Sequence, residues 1–137
     1  MSLLDEIKRN EGYRKTVYKD HLGNDTIGYG FLIKSLELEE DICELIVQRK
    51  LEKNKKILIR KIKNFEELPI EAQEVLEDMF YQLHYKLFQF KKTLKHIERF
   101  EYIEASKEML DSLWARQCPD RALRNSNKIA QCVQYNE

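Results

Sequence analysis

The sequence predicts an α+β fold that is mostly helical, and three observations carry the prediction. Strand-like composition is confined to residues 13–34, where β-branched and aromatic side chains are broken up by turn formers and glycines. From residue 39 onward, apolar residues recur at helical spacing. One stretch of that helical part, Glu39 to about Ile62, reaches roughly 36 Å at 1.5 Å per residue, long enough to join two lobes.

The elements follow in order. Ser2 is placed to cap a first helix, with Asp5 three residues on and Leu3, Leu4 and Ile7 forming a partial apolar stripe. Gly12 is its natural stop, so Glu11 falls in the last turn, where the negative end of the helix dipole gives a carboxylate no help. Lys15–Lys19 reads as a strand, residues 20–25 as a turn and Thr26–Ile27 as a second strand. Gly28 and Gly30 permit a tight bend before Phe31–Ile33 closes a small antiparallel sheet. The long helix follows, with Ile42, Leu45, Ile46, Ile57, Leu58 and Ile62 on a recurring face and a basic second half from Lys53 to Lys63. Pro69 opens the next helix, whose buried face is expected to hold Ala72, Val75, Leu76, Met79, Phe80 and Leu83. Shorter helices are expected at Thr93–Ile97, Tyr102–Trp114 and Arg121–Val133.

Composition narrows the function classes. A chain of 137 residues with 42% hydrophobic and 35% charged residues suits one water-soluble domain with a real core. No run approaches the ~20 apolar residues of a membrane helix, and the N-terminus lacks the pattern of a secretory signal, so a cytoplasmic location is expected. Cys43, Cys118 and Cys132 are too scattered for a disulfide framework or a zinc site and read as free thiols. A net charge of zero gives no support to nucleic-acid or anionic-wall binding by the chain as a whole, although charge can still be local.

Glycosidic-bond cleavage needs one protonated carboxyl near the leaving oxygen and, usually, a second carboxylate across the sugar. The two must sit in environments that separate their proton affinities. Glu11 at a helix end beside Tyr13 fits the first role and Asp20 in a polar turn the second, with the Thr26 hydroxyl available to orient a water. Spacing alone does not decide the matter. With 24 acidic residues in the chain, a solvated surface role for both, or a turn role for Asp20, explains the pair equally well.

Longer motifs add to this. Asn10-Glu11-Gly12-Tyr13-Arg14, Tyr18-Lys19-Asp20 and Thr26-Ile27-Gly28-Tyr29-Gly30 resemble the E-G…Y-x-D…T-I-G-x-G signature of the phage-type lysozymes, a glycoside hydrolase family that includes the T-even phage enzymes. Ser112–Ala122 resembles the family's C-terminal S-x-W-x-x-Q-x-P-x-R-A, and Met79-Phe80-Tyr81-Gln82 its M-x-F-Q core helix. The resemblance spans nearly the whole chain and is weakest between about 34 and 68.

It implies a lysozyme-like fold: a sheet lobe at about 13–38, a joining helix at about 39–62, and a helical lobe of 1–11 plus 63–137. It also implies a muramidase, an endolysin that cuts the β-1,4 bond between N-acetylmuramic acid and N-acetylglucosamine in bacterial peptidoglycan. Such an enzyme would be held in the host cytoplasm until its release to the wall. Glu11 becomes the general acid, with Asp20 and Thr26 holding or activating water and inversion the usual outcome. Leu32, Tyr81, Thr93 and Glu108 become saccharide contacts, and Arg121 matches an arginine that pairs with the catalytic glutamate. Gln82 and Trp114 read as supporting core residues and Gln117 as a buried hydrogen-bonding group, while His21 and His84 are expected to be non-catalytic. The enzyme is expected to act as a monomer, with no cofactor or metal, no nucleic acid and no membrane insertion.

The chain departs from the family pattern at Phe31, where a histidine and its ion pair are common, and at His84, where a glycine is usual. Its joining segment is short, and its neutrality contrasts with strongly basic relatives. Three other readings compete. A non-catalytic lysozyme-fold module binding glycan or protein would lose Glu11 or Asp20, and both are present. A nucleic-acid-binding helical protein rests on the basic run at Lys53–Lys63, which lacks interleaved aromatics. A lytic transglycosylase would use Glu11 alone and leave an anhydro sugar.

Overall fold

The computed structural model describes residues 1–132; the expected end of the last helix at Val133 lies outside them. The fold is α+β and mostly α, as expected, with two compact units, Met1–Glu44 and Leu45–Glu137. Their boundary falls within the long helix, Glu40–Lys61.

The first unit opens with α1 (Leu3–Glu11). Ser2 and Asp5 form a reciprocal capping box: the Asp5 amide donates to Ser2 Oγ at 3.1 Å, and Asp5 Oδ2 accepts from the Ser2 amide at 3.2 Å. Gly12 ends the helix with φ of 70°. A three-stranded antiparallel sheet follows in the order β1 (Arg14–Lys19), β2 (Asp25–Gly28), β3 (Phe31–Leu32). Tyr18 pairs with Thr26, and Thr26 with Leu32, so these three share one face, while Ile27 and Phe31 share the other. Ile33, expected in the last strand, instead starts a 3₁₀ turn, Ile33–Ser35.

The apolar stripe of α1 is not buried, since Leu3, Leu4 and Ile7 are all exposed. The same holds for Ile42, Leu45 and Ile46 of α2 (Glu40–Lys61), whose expected face is fully covered at Leu58 and, just past the helix end, at Ile62. Periodicity marks which residues share a face. Burial also needs enough chain to cover that face, and the 44-residue first unit, which holds α1 and Ile42, supplies little.

The second unit holds the core. α3 (Ile70–Leu83) runs through it with Ala72, Val75, Leu76, Met79 and Phe80 buried and Leu83 packed against them, close to the expected face. Around it lie α4 (Lys91–Glu98), α5 (Tyr102–Leu110), α6 (Leu113–Gln117) and α7 (Pro119–Gln131), with α7 packed on α5, α3 and α6. The single helix expected over Tyr102–Trp114 is in fact two. Ser112 is extended (φ −145°, ψ 157°) and caps α6 by accepting from the Ala115 amide at 3.1 Å, a local hydrogen bond that competes with helix continuation.

After α3 the chain enters a 3₁₀ segment, His84–Gln89, that periodicity did not reveal. His84 adopts φ 52° and ψ −133°, a region open in practice only to glycine. The glycine that the resemblance leads one to expect here would meet a steric need, and this chain bears strain there. Relief of about 1–3 kcal/mol outweighs the ~0.5–1 kcal/mol that glycine adds to unfolded-state entropy and the lost edge contact with Phe80. His84→Gly is accordingly expected to raise stability by about 1 kcal/mol. Urea unfolding midpoints test this, and a lower midpoint for the variant rejects it.

Candidate active site

In the first unit, Glu11 is the last residue of α1 and is exposed. Its carboxyl lies directly over Gly30. A Cβ built on Gly30 meets Glu11 Oε2 and comes within 2.9 Å of Glu11 Cδ. Gly30 also has φ of 77°, so both its missing side chain and its backbone conformation are used. The tight bend expected around Gly28 and Gly30 thus doubles as the floor beneath the Glu11 carboxyl.

Asp20 follows β1 and is half-buried in the turn that leads to β2. Its Oδ1 accepts from the backbone amides of Asn24 at 2.8 Å and Leu22 at 2.9 Å. The Asn24 amide is the main reason that its carboxyl is held below the usual aspartate range. Asp20 is therefore ionised near neutral pH. Thr26 is buried in β2, and its hydroxyl donates to the Asn24 carbonyl at 2.9 Å. The Asn24 carbonyl also accepts from the Asp20 amide at 3.0 Å, which makes Asn24 the common anchor of both residues. Leu32 lies opposite Thr26 on the same face and is partly exposed. Tyr13 and Tyr29 pack 5.5 Å apart, and Lys8 lies over the Tyr29 ring at 5.8 Å. Asn24 was not singled out from sequence, although an aspartate followed four residues later by asparagine is a turn signal.

The remaining expected residues belong to the second unit, and all but Gln82 line one of two separate grooves. One groove, of about 390 Å³, is lined by Val47, Leu51, Glu77, Tyr81 and Arg121 among others. Arg121, for which the resemblance implies pairing with the catalytic glutamate, is held by Asp78. Its Nε donates to Oδ2 at 2.9 Å, and its Nη2 donates to Oδ1 at 2.8 Å. Asn125 Nδ2 adds a bond to Asp78 Oδ2 at 2.8 Å. Burial works against ionisation of Asp78, but the hydrogen bonds from Arg121 and Asn125 outweigh it and leave the carboxyl below its ordinary value. Neighbouring Glu77 has no such donors among the described residues, and burial holds its carboxyl above the usual range. Asp78 was missed from sequence because its partner is 43 positions away.

The larger groove, of about 700 Å³, brings together Thr93, Glu108, Trp114 and Gln117 with Phe90 and Leu83. Trp114 is buried, stacks edge-on against Phe90 at 6.0 Å and donates from Nε1 to Gln82 Oε1 at 2.9 Å. Gln82 in turn donates to Cys118 Sγ at 3.3 Å. Gln117, expected to be buried, is exposed on the rim. The five-residue α6 buries Trp114 and Ala115 and turns Gln117 outward.

Comparison with known proteins identifies the family. The model of the phage lysozyme family matches residues 8–126. Two proteins of Dictyostelium discoideum are similar over most of their length. "Probable T4-type lysozyme 2" is 31% identical, with 90% of each chain covered. "Probable T4-type lysozyme 1" is 28% identical, with the same coverage. With a family match over most of its length and relatives aligned nearly end to end, the chain belongs to the phage lysozyme family, and so to the glycosidase-type enzymes.

Proposed function

We propose that the protein is a muramidase that hydrolyses the β-1,4 bond between N-acetylmuramic acid and N-acetylglucosamine of peptidoglycan. The observation that carries the reading is the shared anchoring of Asp20 and Thr26 on the Asn24 backbone. The Asn24 amide keeps Asp20 negative. The Asn24 carbonyl accepts the hydrogen bond donated by the Thr26 hydroxyl, which leaves the Thr26 oxygen as an acceptor for a hydrogen bond from water. In this reading Glu11 donates its proton to the leaving glycosidic oxygen. Asp20 stabilises the developing positive charge on the sugar and, with Thr26, orients the attacking water. Water then adds to the face opposite the departing oxygen, gives up its proton to Asp20, and configuration inverts. Leu32, which shares the Thr26 face, and Tyr81, Thr93 and Glu108 in the second-unit grooves contact the glycan.

The test is product analysis on purified bacterial walls. Hydrolysis is expected to release reducing ends in step with loss of turbidity, without anhydro sugar. Anhydro products would assign the chemistry to transglycosylation through Glu11 alone. Binding to walls without either product would replace the enzyme reading with a glycan-binding module.

A further inference from the structure

The basic run of α2 has no role in the reaction just described, and the helix gives it an order that the linear sequence hides. Between Arg49 and Lys61 there are seven cationic residues and one carboxylate, Glu52, in a chain whose net charge is zero. Two of the seven are turned toward the rest of their unit. Lys50 lies over the Tyr81 ring at 5.7 Å, and the charge of Lys55 acts on Glu77. Four others, Arg49, Lys53, Lys56 and Arg60, recur at intervals of four, three and four. At 3.6 residues per turn this places them within about 60° of arc, half a turn from buried Leu58. They form a straight stripe roughly 16 Å long. All four are exposed, and none is ion-paired with any described residue. Glu52 lies on the flank of the stripe, not within it.

We propose that this stripe is a docking surface for a linear phosphodiester polymer tethered to the glycan that the enzyme cuts; this rests on the muramidase reading. Four unpaired cations at a regular rise of about 5.5 Å fit a flexible chain carrying one negative charge per repeat. Such binding is driven by release of counterions. A nucleic-acid strand is the poorer fit, because α2 contains no aromatic residue on which a base could stack. Binding through the stripe holds the enzyme at the wall while leaving the groove residues free for the glycan. It also gives a neutral protein the local attraction that a high net positive charge provides elsewhere.

The experiment measures binding to walls bearing poly(glycerol phosphate), to the same walls chemically stripped of it, and to single-stranded DNA of matched charge. Three proteins are compared. These are the wild type, the stripe variant Arg49→Gln, Lys53→Gln, Lys56→Gln, Arg60→Gln, and a control with the same charge change, Lys34→Gln, Lys95→Gln, Arg99→Gln, Lys107→Gln. Wild type and control are expected to bind the phosphate-bearing walls with affinity falling roughly fifty-fold between 50 and 200 mM salt. The stripe variant is expected to lose most of that affinity and its salt dependence. Hydrolysis of short soluble glycans, which carry no phosphate polymer, is expected to be equal for all three. Equal loss in both variants, or undiminished wild-type binding to stripped walls, overturns the proposal. Tighter binding to DNA than to walls replaces the polymer with a nucleic acid as the partner. Failure of the wild type to cut soluble glycans removes the muramidase reading, independently of the binding result.

Discussion

Replacing Glu11 with glutamine is expected to slow release of reducing ends from peptidoglycan by about 100-fold or more, the range for losing a positioned general acid. The substitution keeps the shape of the side chain and removes the transferable proton. Glu11 is exposed at the end of α1 and lies against Gly30, so the amide can occupy the same place with little effect on folding. Binding to walls should therefore survive while turnover is lost. Steady-state kinetics separate the two, since a fall in kcat with KM little changed is the expected signature of an interaction made only in the transition state. A variant that hydrolyses walls at close to the wild-type rate would remove Glu11 from the reaction.

Gly30→Ala is expected to have a comparable effect on activity by a different route. The new methyl group would occupy the place of the Glu11 carboxyl, which must then move. A shift of about 1 Å in a reacting group can cost roughly 100-fold in rate. The same substitution strains a backbone at φ 77°, so stability should fall by about 1–2 kcal/mol as well. The two effects separate in the double variant. If Gly30→Ala acts through Glu11, it should add little further loss of activity to Glu11→Gln, although its stability cost remains. Independent, multiplying losses would instead place Gly30 among purely structural residues.

These two residues also mark how far the chain can be read without coordinates. Glu11, Asp20 and Thr26 stand out as candidates in the sequence because each sits in a short local motif: a helix stop, an acidic turn and a strand start. Local backbone chemistry fixes such features, and the capping box at Ser2 and Asp5 formed as expected for the same reason. The buried face of α3 was legible from its period, because a helix at the centre of a core must turn its apolar stripe inward. The boundary between α5 and α6 was not, because a single serine hydroxyl at Ser112 overrides a continuous apolar pattern.

By itself the sequence determined the fold class, the strand region followed by helices, and the family, since propensity, period and motif are properties of neighbours along the chain. Only the tertiary structure decided what each side chain meets. It placed the Glu11 carboxyl over Gly30, gave Arg121 to Asp78 and turned Gln117 to solvent. The physical reason is range. Hydrogen bonds within a turn act over a few residues and leave a mark in the sequence. Steric exclusion, ion pairing and burial act between residues tens of positions apart, and their partners are chosen only when the chain has folded.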